Sequence, residues 1–231
     1  MDKIIEWINT SFEKIPIIIG VQGIQGCGKS TLCETLEKQA PETISIVSLD
    51  DFYKKHSEID FDDDDWRLRG RGNPGTHDVE LLYECLYDFK HSFIANFPFY
   101  DKTLFNGQGD RSDNIKQSKV TSHVLLIEGW CLGFTPVNDG DVIDEHLKKY
   151  QKAFSLIDGM IVLQSDFNNL REWRFESEKK MSYEETQKFI DRYIPTYEKY
   201  LERFLSNAKM SPTSLILNIS RKREISMADW G

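Results

Sequence analysis

The sequence predicts an α/β fold in which helices cover a parallel sheet on both faces. The first observation is that short apolar runs, each about as long as a buried strand, recur along the chain. The second is that segments with helical apolar spacing separate these runs, as is typical of parallel strands joined by helical crossovers. No internal repeat and no Pro- or Ser-rich linker interrupts the 231 residues, so we expect a single domain over residues 1–231.

The predicted elements alternate from one end of the chain to the other. Strands are expected at residues 17–21, 44–49, 124–127, 159–163 and 215–219. Helices are expected at residues 3–14, 29–39, from Thr76 onward, 141–154, 167–180 and 183–206. The last helix should begin with a capping box formed by Ser182 and Glu185, and Pro195 should kink it. Irregular structure is expected over most of residues 54–76 and 91–119.

Composition and charge exclude several classes of partner. The net charge is −9, because 29 Lys and Arg stand against 38 Asp and Glu, and such a surface repels the phosphate backbone of nucleic acid. No apolar run approaches the roughly 20 residues of a membrane-spanning helix. The four cysteines form no CxxC pair, and the N-terminus resembles neither a signal peptide nor a transit peptide. We therefore expect a cytoplasmic monomer whose partner is a small-molecule substrate.

One motif predicts a phosphate-binding loop. Residues 23–30 read GIQGCGKS, which fits the pattern G-x-x-x-x-G-K-[ST]. Its glycines allow several backbone N–H groups to face one anion, and the helix that follows adds the positive end of its dipole. A Gly-rich turn with an exposed lysine is the alternative, but the predicted strand before the motif and helix after it favour a P-loop NTPase fold. The residues expected to bind ATP are Gly23, Gly26, Cys27, Gly28, Lys29, Ser30 and Thr31.

Three side chains of this loop have separate expected roles. Lys29 should contact the β- and γ-phosphates, and the Ser30 hydroxyl should bind Mg²⁺. Cys27 lies near the start of a helix, where a thiolate is favoured. We interpret Cys27 as a small tolerated side chain, and a redox-sensitive thiol is the alternative.

Carboxylates follow two of the predicted strands. Asp50 and Asp51 end the second strand, at the edge of the sheet where open α/β folds bind ligands. One of the two could accept the proton of a substrate hydroxyl, and the other could cap a turn. Glu128 ends the strand 124–127, where a buried charge needs a partner and a metal ion is a natural one. The run Asp62–Asp65 is interpreted as a solvated loop.

Basic residues cluster in one predicted loop and in one predicted helix. Arg67, Arg69 and Arg71 alternate along one loop and could clamp an anion or neutralise the neighbouring aspartates; we expect Arg71 to be functional and leave the other two open. Arg171 and Arg174 share one face of a polar helix, which predicts a lid over about residues 167–181. A surface helix with paired charges is the alternative.

Longer runs indicate a family. They are GIQGCGKST, SLDDFY, GRGNPGTHD, FYDKTLFNGQGDRSD, LLIEGWCLGF, and REWR followed by FIDRYIPTYEKYL. Over residues 17 to about 205 the chain resembles D-glycerate 3-kinase of the plant and fungal type, which is related to phosphoribulokinase, uridine kinase and pantothenate kinase. RGNPGTHD and IEGWCLGF are far more specific than the P-loop alone.

The resemblance implies a role for each candidate residue. Asp50 corresponds to the general base, Glu128 to the Walker B acid, and Arg171 and Arg174 to the lid arginines. The acceptor site is expected to be lined by Arg71, His77, Tyr100, Lys102, Arg111 and Trp130.

The implied reaction transfers phosphate from ATP to D-glycerate and gives 3-phosphoglycerate. Lys29, Asp50, Arg171 and Arg174 are the expected catalytic residues. One alternative is a kinase of another small molecule, such as a nucleoside, pantothenate or a sugar acid. A nucleoside would need an aromatic slot and few cations, whereas the basic loops favour an acceptor that has a carboxylate. The other is a regulatory ATP-binding protein, against which the presence of Asp50 and the lid arginines argues.

Overall fold

In the part of the chain that the structure describes, a six-stranded sheet forms the centre of the fold. The computed structural model describes residues 1–177 and 182–227, except the side chains of Arg171, Arg174, Ser177 and Phe189. In chain order the strands are β1 (Ile17–Gly23), β2 (Ile44–Ser48), β3 (Asn96–Asp101), β4 (Asp110–Gln117), β5 (Val124–Gly129), β6 (Gly159–Gln164), β7 (Ser214–Ile219) and β8 (Ile225–Met227).

The strand order in this sheet is β2-β5-β1-β6-β7-β8. Every neighbouring pair from β2 to β7 is parallel, and β8 is antiparallel to β7. Because β1 lies in the interior of the sheet, all seven of its residues are buried, as the unbroken apolar run of the sequence predicts. The expectation of a mostly parallel sheet is confirmed, and β8 adds an antiparallel edge that the sequence did not indicate.

Six α-helices lie in the described residues. They are α1 (Asp2–Thr10), α2 (Lys29–Gln39), α3 (Val79–Ser92), α4 (Val142–Phe154), α5 (Phe167–Ser177) and α6 (Tyr183–Lys209). The capping box of Ser182 and Glu185 is confirmed, and α6 continues through Pro195 as one helix. Residues 178–181 of the expected lid lie outside the described residues. None of the helices in the described part of the chain is long and apolar enough to cross a membrane.

The prediction that residues 91–119 are mostly loop is wrong. β3 and β4 form an antiparallel hairpin, whose register shifts between Pro98 and Phe99. The sequence concealed it because β4 reads DRSDNIKQ and is largely exposed, so it shows no apolar alternation, and because a proline interrupts β3.

The register of the parallel strands brings three chain segments to one edge of the sheet. Glu128 of β5 lies opposite Val21 of β1 and Ser48 of β2. The segments that leave the carboxyl ends of these strands therefore start beside one another. They carry the glycine-rich loop, the pair Asp50–Asp51, and Glu128, and this edge is where open α/β sheets bind their ligands.

Candidate active site

The glycine-rich loop joins β1 directly to α2. Gly28 is the N-cap of α2 with φ 98°, and Gly26 has φ 82°, a region that side chains with a Cβ rarely adopt. A Cβ added at Gly28 would meet no heavy atom of the described residues within 4 Å. The loop is thus turned tightly and stays open beside the first turn of α2, as an anion-binding loop requires.

Lys29 places its charge inside this loop. The side chain is buried, and Nζ donates hydrogen bonds to the carbonyl oxygens of Gly23 at 2.9 Å and Ile24 at 3.1 Å. An ammonium group and the positive end of α2 therefore lie together, and both attract the phosphates of a nucleotide.

Ser30 and Glu128 provide two oxygen ligands suitable for Mg²⁺. The Ser30 hydroxyl donates a hydrogen bond to Oε1 of Glu128 at 3.2 Å. Hydroxyl and carboxylate oxygens are ligands that Mg²⁺ prefers, and the ion usually completes its shell with water and substrate phosphates. Across residues 1–177 and 182–227, no cluster of three or more His, Cys, Asp or Glu could hold a metal on its own. The donor set therefore fits an ion bound together with a nucleotide.

Cys27 and Thr31 flank these residues in different environments. Cys27 is buried, and burial raises the pKa of its thiol although the nearby Lys29 charge acts in the opposite direction. The thiol is therefore protonated at neutral pH, which supports the interpretation of Cys27 as a small tolerated side chain. Thr31 lies exposed in the first turn of α2.

Asp50 and Asp51 bond in different ways although they are consecutive. Asp51 is buried, and its carboxylate accepts hydrogen bonds from the backbone N–H of Ser48 at 3.3 Å and the Lys116 ammonium at 2.8 Å. It forms a capping box with Ser48 on the 3₁₀ turn Leu49–Phe52. Asp50 instead pairs with Lys102, whose Nζ lies 2.5 Å from Oδ2. Asp51 thus holds the turn, and Asp50 is available for chemistry.

The surroundings of Asp50 favour its ionised form. Burial acts to raise its pKa, but the charge and hydrogen bond of Lys102, with His77 and the Tyr53 hydroxyl, outweigh burial and hold the pKa below its usual value. Asp50 is therefore a carboxylate at neutral pH. A carboxylate that is partly exposed at the sheet edge can accept a proton from a bound hydroxyl group.

A buried aromatic chain supports Asp50 from behind. The Tyr53 ring stacks on the His77 ring with 4.3 Å between centroids, and His77 Nδ1 lies 2.8 Å from the Tyr150 hydroxyl oxygen. The N–H of Gly75 donates to that same oxygen at 3.0 Å, so the Tyr150 hydrogen is free for Nδ1. Burial lowers the pKa of His77 to about 4, so the ring is neutral at pH 7. Its Nε2 is buried and has no hydrogen-bond partner among the described residues.

Two of the expected acceptor-site residues hold the loops beside Asp50. The Arg71 guanidinium donates to the carbonyl oxygens of Gly107, at 2.8 Å, and Gln108. The buried Tyr100 donates its hydroxyl to the same Gln108 carbonyl at 3.2 Å. Both residues therefore fasten the loop between β3 and β4, and their contact with an acceptor stays a prediction.

Arg111 and Trp130 are also engaged within the protein. Arg111 Nη2 donates to the Tyr53 carbonyl and to Asp78 Oδ2, each at 3.1 Å. Trp130 is buried and donates its Nε1–H to the Gly72 carbonyl at 3.2 Å. These contacts position the walls of the site. Lys102 and Arg111 both form ion pairs, but the Lys102 side chain is 54% exposed and that of Arg111 only 15%.

The first two arginines of the loop 67–71 bind neighbouring groups of the protein. Arg67 pairs with Asp65 at 2.5 Å and with Asp141 at 2.8 Å. Arg69 Nε donates to the Asp63 carbonyl at 2.7 Å. The sequence left open whether Arg67 binds an anion or neutralises nearby aspartates, and the structure shows that it pairs with aspartates. Asp65 is therefore in an ion pair, although we expected it to lie in a solvated loop.

The predicted lid helix contacts the phosphate loop. Trp173 of α5 is buried, and its Cβ would lie 3.2 Å from a Cβ placed at Gly26. The side chains of Arg171 and Arg174 lie outside the described part of the structure, so their contact with the transferred phosphate remains a prediction. Their helix is nevertheless anchored beside the loop that they are expected to serve.

Comparison with known proteins identifies the family. Residues 18–218 match the Phosphoribulokinase / Uridine kinase family. The chain belongs to this family. It is accordingly a kinase with a P-loop fold that uses ATP.

Three similar proteins align with most of this chain. The probable ATP-dependent kinase TDA10 of Saccharomyces cerevisiae is 32% identical over 97% of this chain and 92% of its own length. The chloroplastic D-glycerate 3-kinase of Arabidopsis thaliana is 32% identical over 80% of this chain, which spans only 48% of that protein. The structure of D-glycerate 3-kinase from Cryptococcus neoformans superposes with a TM-score of 0.79, at 27% identity, over 97% of this chain and 93% of its own.

Sequence reasoning missed three residues at the site of this P-loop kinase. Tyr53 follows Asp50 by three positions across a 3₁₀ turn, a spacing that brings side chains together and could have revealed the contact. Trp173 carried only an apolar signal within a polar helix. Arg223 donates to the Gly26 carbonyl at 3.1 Å from 197 residues away, and no pattern in the sequence points to that contact.

Proposed function

We propose that this kinase transfers the γ-phosphoryl group of ATP to the 3-hydroxyl of D-glycerate and forms 3-phosphoglycerate. The observation that carries the proposal is the pair Asp50–Lys102, in which a candidate base and an exposed cation lie 2.5 Å apart. An acceptor that has a hydroxyl and a carboxylate can satisfy both groups at once. The similarity to the D-glycerate 3-kinases of Arabidopsis and Cryptococcus supports the same acceptor.

The phosphate side of the reaction uses the glycine-rich loop. The loop amides and Lys29 hold the β- and γ-phosphates, and Arg171 and Arg174 neutralise charge on the transferred group from the lid. Ser30 and Glu128 would hold Mg²⁺. When bound, that ion neutralises charge that develops on the phosphate oxygens.

The acceptor side uses Asp50. The hydroxyl oxygen of the acceptor forms a bond to the γ-phosphorus, and the bond from that phosphorus to the β,γ-bridging oxygen breaks. ADP leaves with the electron pair of the broken bond, and the hydroxyl proton passes to Asp50, which later releases it to water. A positioned carboxylate typically contributes about 10²- to 10⁴-fold to such a step.

We also propose where the enzyme acts and which partners it has. We place the enzyme in the cytoplasm as a monomer that binds a small-molecule acceptor, with neither nucleic acid nor a membrane as a partner. The net charge of −9 supports the first exclusion, because local cations are needed even to bind a small anion.

The deciding experiment is coupled ADP release with Mg-ATP, with and without D-glycerate. Parallel reactions contain L-glycerate, uridine or pantothenate. Stimulation by D-glycerate alone, with 3-phosphoglycerate found as the product, is the expected result. Stimulation by another acceptor would show that the protein is a kinase of that acceptor and not of D-glycerate. ADP release that no acceptor stimulates would favour a regulatory ATP-binding role.

A further inference from the structure

Lys102 is held over Asp50 by a well-fastened loop. It is the first residue after β3, and the loop 102–109 leads from there to β4. The carboxylate of Asp101 accepts hydrogen bonds from the N–H of Thr103 at 2.8 Å and from its hydroxyl at 2.6 Å, which fixes the turn around Lys102. His56 stacks on Phe105 with 3.9 Å between ring centroids and so holds the far side of the loop. The backbone that carries Lys102 is therefore fixed within reach of Asp50.

The ion pair itself is easily exchanged. The Lys102 side chain is 54% exposed and that of Asp50 is 30% exposed, so water competes for both partners. The neighbouring pair Lys116–Asp51 differs, because the Asp51 side chain is only 7% exposed and also accepts backbone hydrogen bonds. The hairpin thus makes one fixed lysine contact and one replaceable contact with consecutive aspartates.

The replaceable contact weakens Asp50 as a base. An ammonium group on a carboxylate stabilises its ionised form and so lowers its affinity for a proton. A second anion that attracts the ammonium group would remove that effect. The acceptor's own carboxylate is such an anion, and it would arrive together with the hydroxyl that needs the base.

We propose that Lys102 selects acceptors by exchanging Asp50 for the carboxylate of the acceptor, so that Asp50 becomes a competent base only when a small hydroxy acid is bound. This inference rests on the proposed function in two respects, the use of Asp50 as the base and an acceptor that has a carboxylate. An uncharged alcohol leaves the pair intact and is a poor acceptor. Water is a poor acceptor for the same reason, so ATP is protected from hydrolysis while the acceptor site is empty of substrate.

The test compares Lys102→Met with Lys148→Met. Lys148 is a matched control, because its Nζ also lies 2.5 Å from a carboxylate, that of Glu145, and its side chain is 51% exposed on α4. For wild type and both variants we would measure kcat/KM for D-glycerate and for its uncharged amide, D-glyceramide. The same proteins are assayed for ADP release with Mg-ATP alone.

The expected result has two parts. Lys102→Met lowers kcat/KM for D-glycerate by about 10- to 150-fold, the range of a hydrogen bond to a charged group, and raises that for the amide, because Asp50 is no longer held by the ammonium group. It also raises acceptor-free ADP release at least about threefold, because Asp50 regains its basicity toward water. Lys148→Met behaves as wild type in every assay.

Other outcomes overturn the inference. If Lys102→Met keeps the preference for the anion over the amide, Lys102 does not select the acceptor. If Lys102→Met loses the preference for D-glycerate over the amide but acceptor-free ADP release is unchanged, Lys102 binds the acceptor without releasing Asp50 from restraint. If wild type fails to phosphorylate D-glycerate, the proposed function falls. The acceptor-free assay then decides the inference alone, since a rise supports the exchange and no change overturns it.

Discussion

The hydroxyl of Ser30 lies 3.2 Å from the carboxylate of Glu128, although 98 residues separate the two in the chain. Ser30 lies in the first turn of α2, and Glu128 lies near the end of β5, which neighbours β1. Parallel strands bring their carboxyl ends to one edge, so the fold brings together two oxygens that the sequence predicts separately, one from the glycine-rich motif and one from the end of a buried strand. Their contact is the structural reason for placing Mg²⁺ there.

Replacing Glu128 by Gln should weaken Mg²⁺ use more than nucleotide binding. The amide keeps the size of the side chain but removes its charge. Loss of even an outer-shell partner of a metal site typically lowers metal affinity by about 10- to 100-fold, so loss of a ligand charge should cost at least as much. We expect the Mg²⁺ concentration for half-maximal activity to rise by that factor. Glu145→Gln, on the exposed surface of α4, is the control. An unchanged Mg²⁺ requirement in Glu128→Gln would place the metal elsewhere.

Cys27 should resist modification in the folded protein. Its thiol is buried and its pKa is raised by burial, so little thiolate is present at pH 7 to 8. We expect iodoacetamide or mild peroxide to leave kinase activity unchanged over an hour. Denatured protein, in which all four cysteines are accessible, is the control for labelling. Rapid loss of activity, with label found on Cys27, would support the redox-sensitive alternative.

The stability of the fold should depend on the charge of Asp141. This side chain is 15% exposed and bonds to Arg67 at 2.8 Å and to Lys199 at 2.8 Å. The Arg67 hydrogen bonds and the Lys199 hydrogen bond outweigh burial and hold the pKa of Asp141 well below its usual value. A depressed pKa contributes stability above the unfolded value of about 3.9, and that stability is lost as the pH falls below it.

Asp141→Asn isolates that charge, because asparagine can keep the N-cap hydrogen bond to Ile143 N–H at the start of α4. We expect a loss of about 1 to 3 kcal/mol in the free energy of unfolding at pH 7, measured by urea denaturation, and a smaller loss at pH 3. Asp139→Asn is the control, since Asp139 pairs with the same Lys199 but is 48% exposed. Equal losses at both pH values would contradict the electrostatic explanation.

Parts of this site could be predicted from sequence because they depend on local pattern or on strand ends. The loop from Gly23 to Ser30 and the position of Glu128 follow from a motif and from a buried strand, and both lie where expected. The partner of Asp50 could not be predicted, because Lys102 comes from a hairpin whose second strand is polar and exposed. The contact of Arg223 with Gly26 arises only from the tertiary fold.

Tyr53 should shift the acid limit of catalysis through Asp50. The groups that lower the pKa of Asp50 against the effect of burial are Lys102, His77 and the Tyr53 hydroxyl. Tyr53→Phe removes one hydrogen bond to the carboxylate, so the pKa of Asp50 rises and the base becomes protonated at a higher pH. We expect the acid limb of kcat/KM for the acceptor, measured at saturating Mg-ATP, to move to higher pH while activity at pH 8 falls less than about tenfold. Tyr100→Phe is the control, because its hydroxyl bonds to the Gln108 carbonyl. If the acid limbs of the two variants coincide, the Tyr53 hydroxyl does not govern the base.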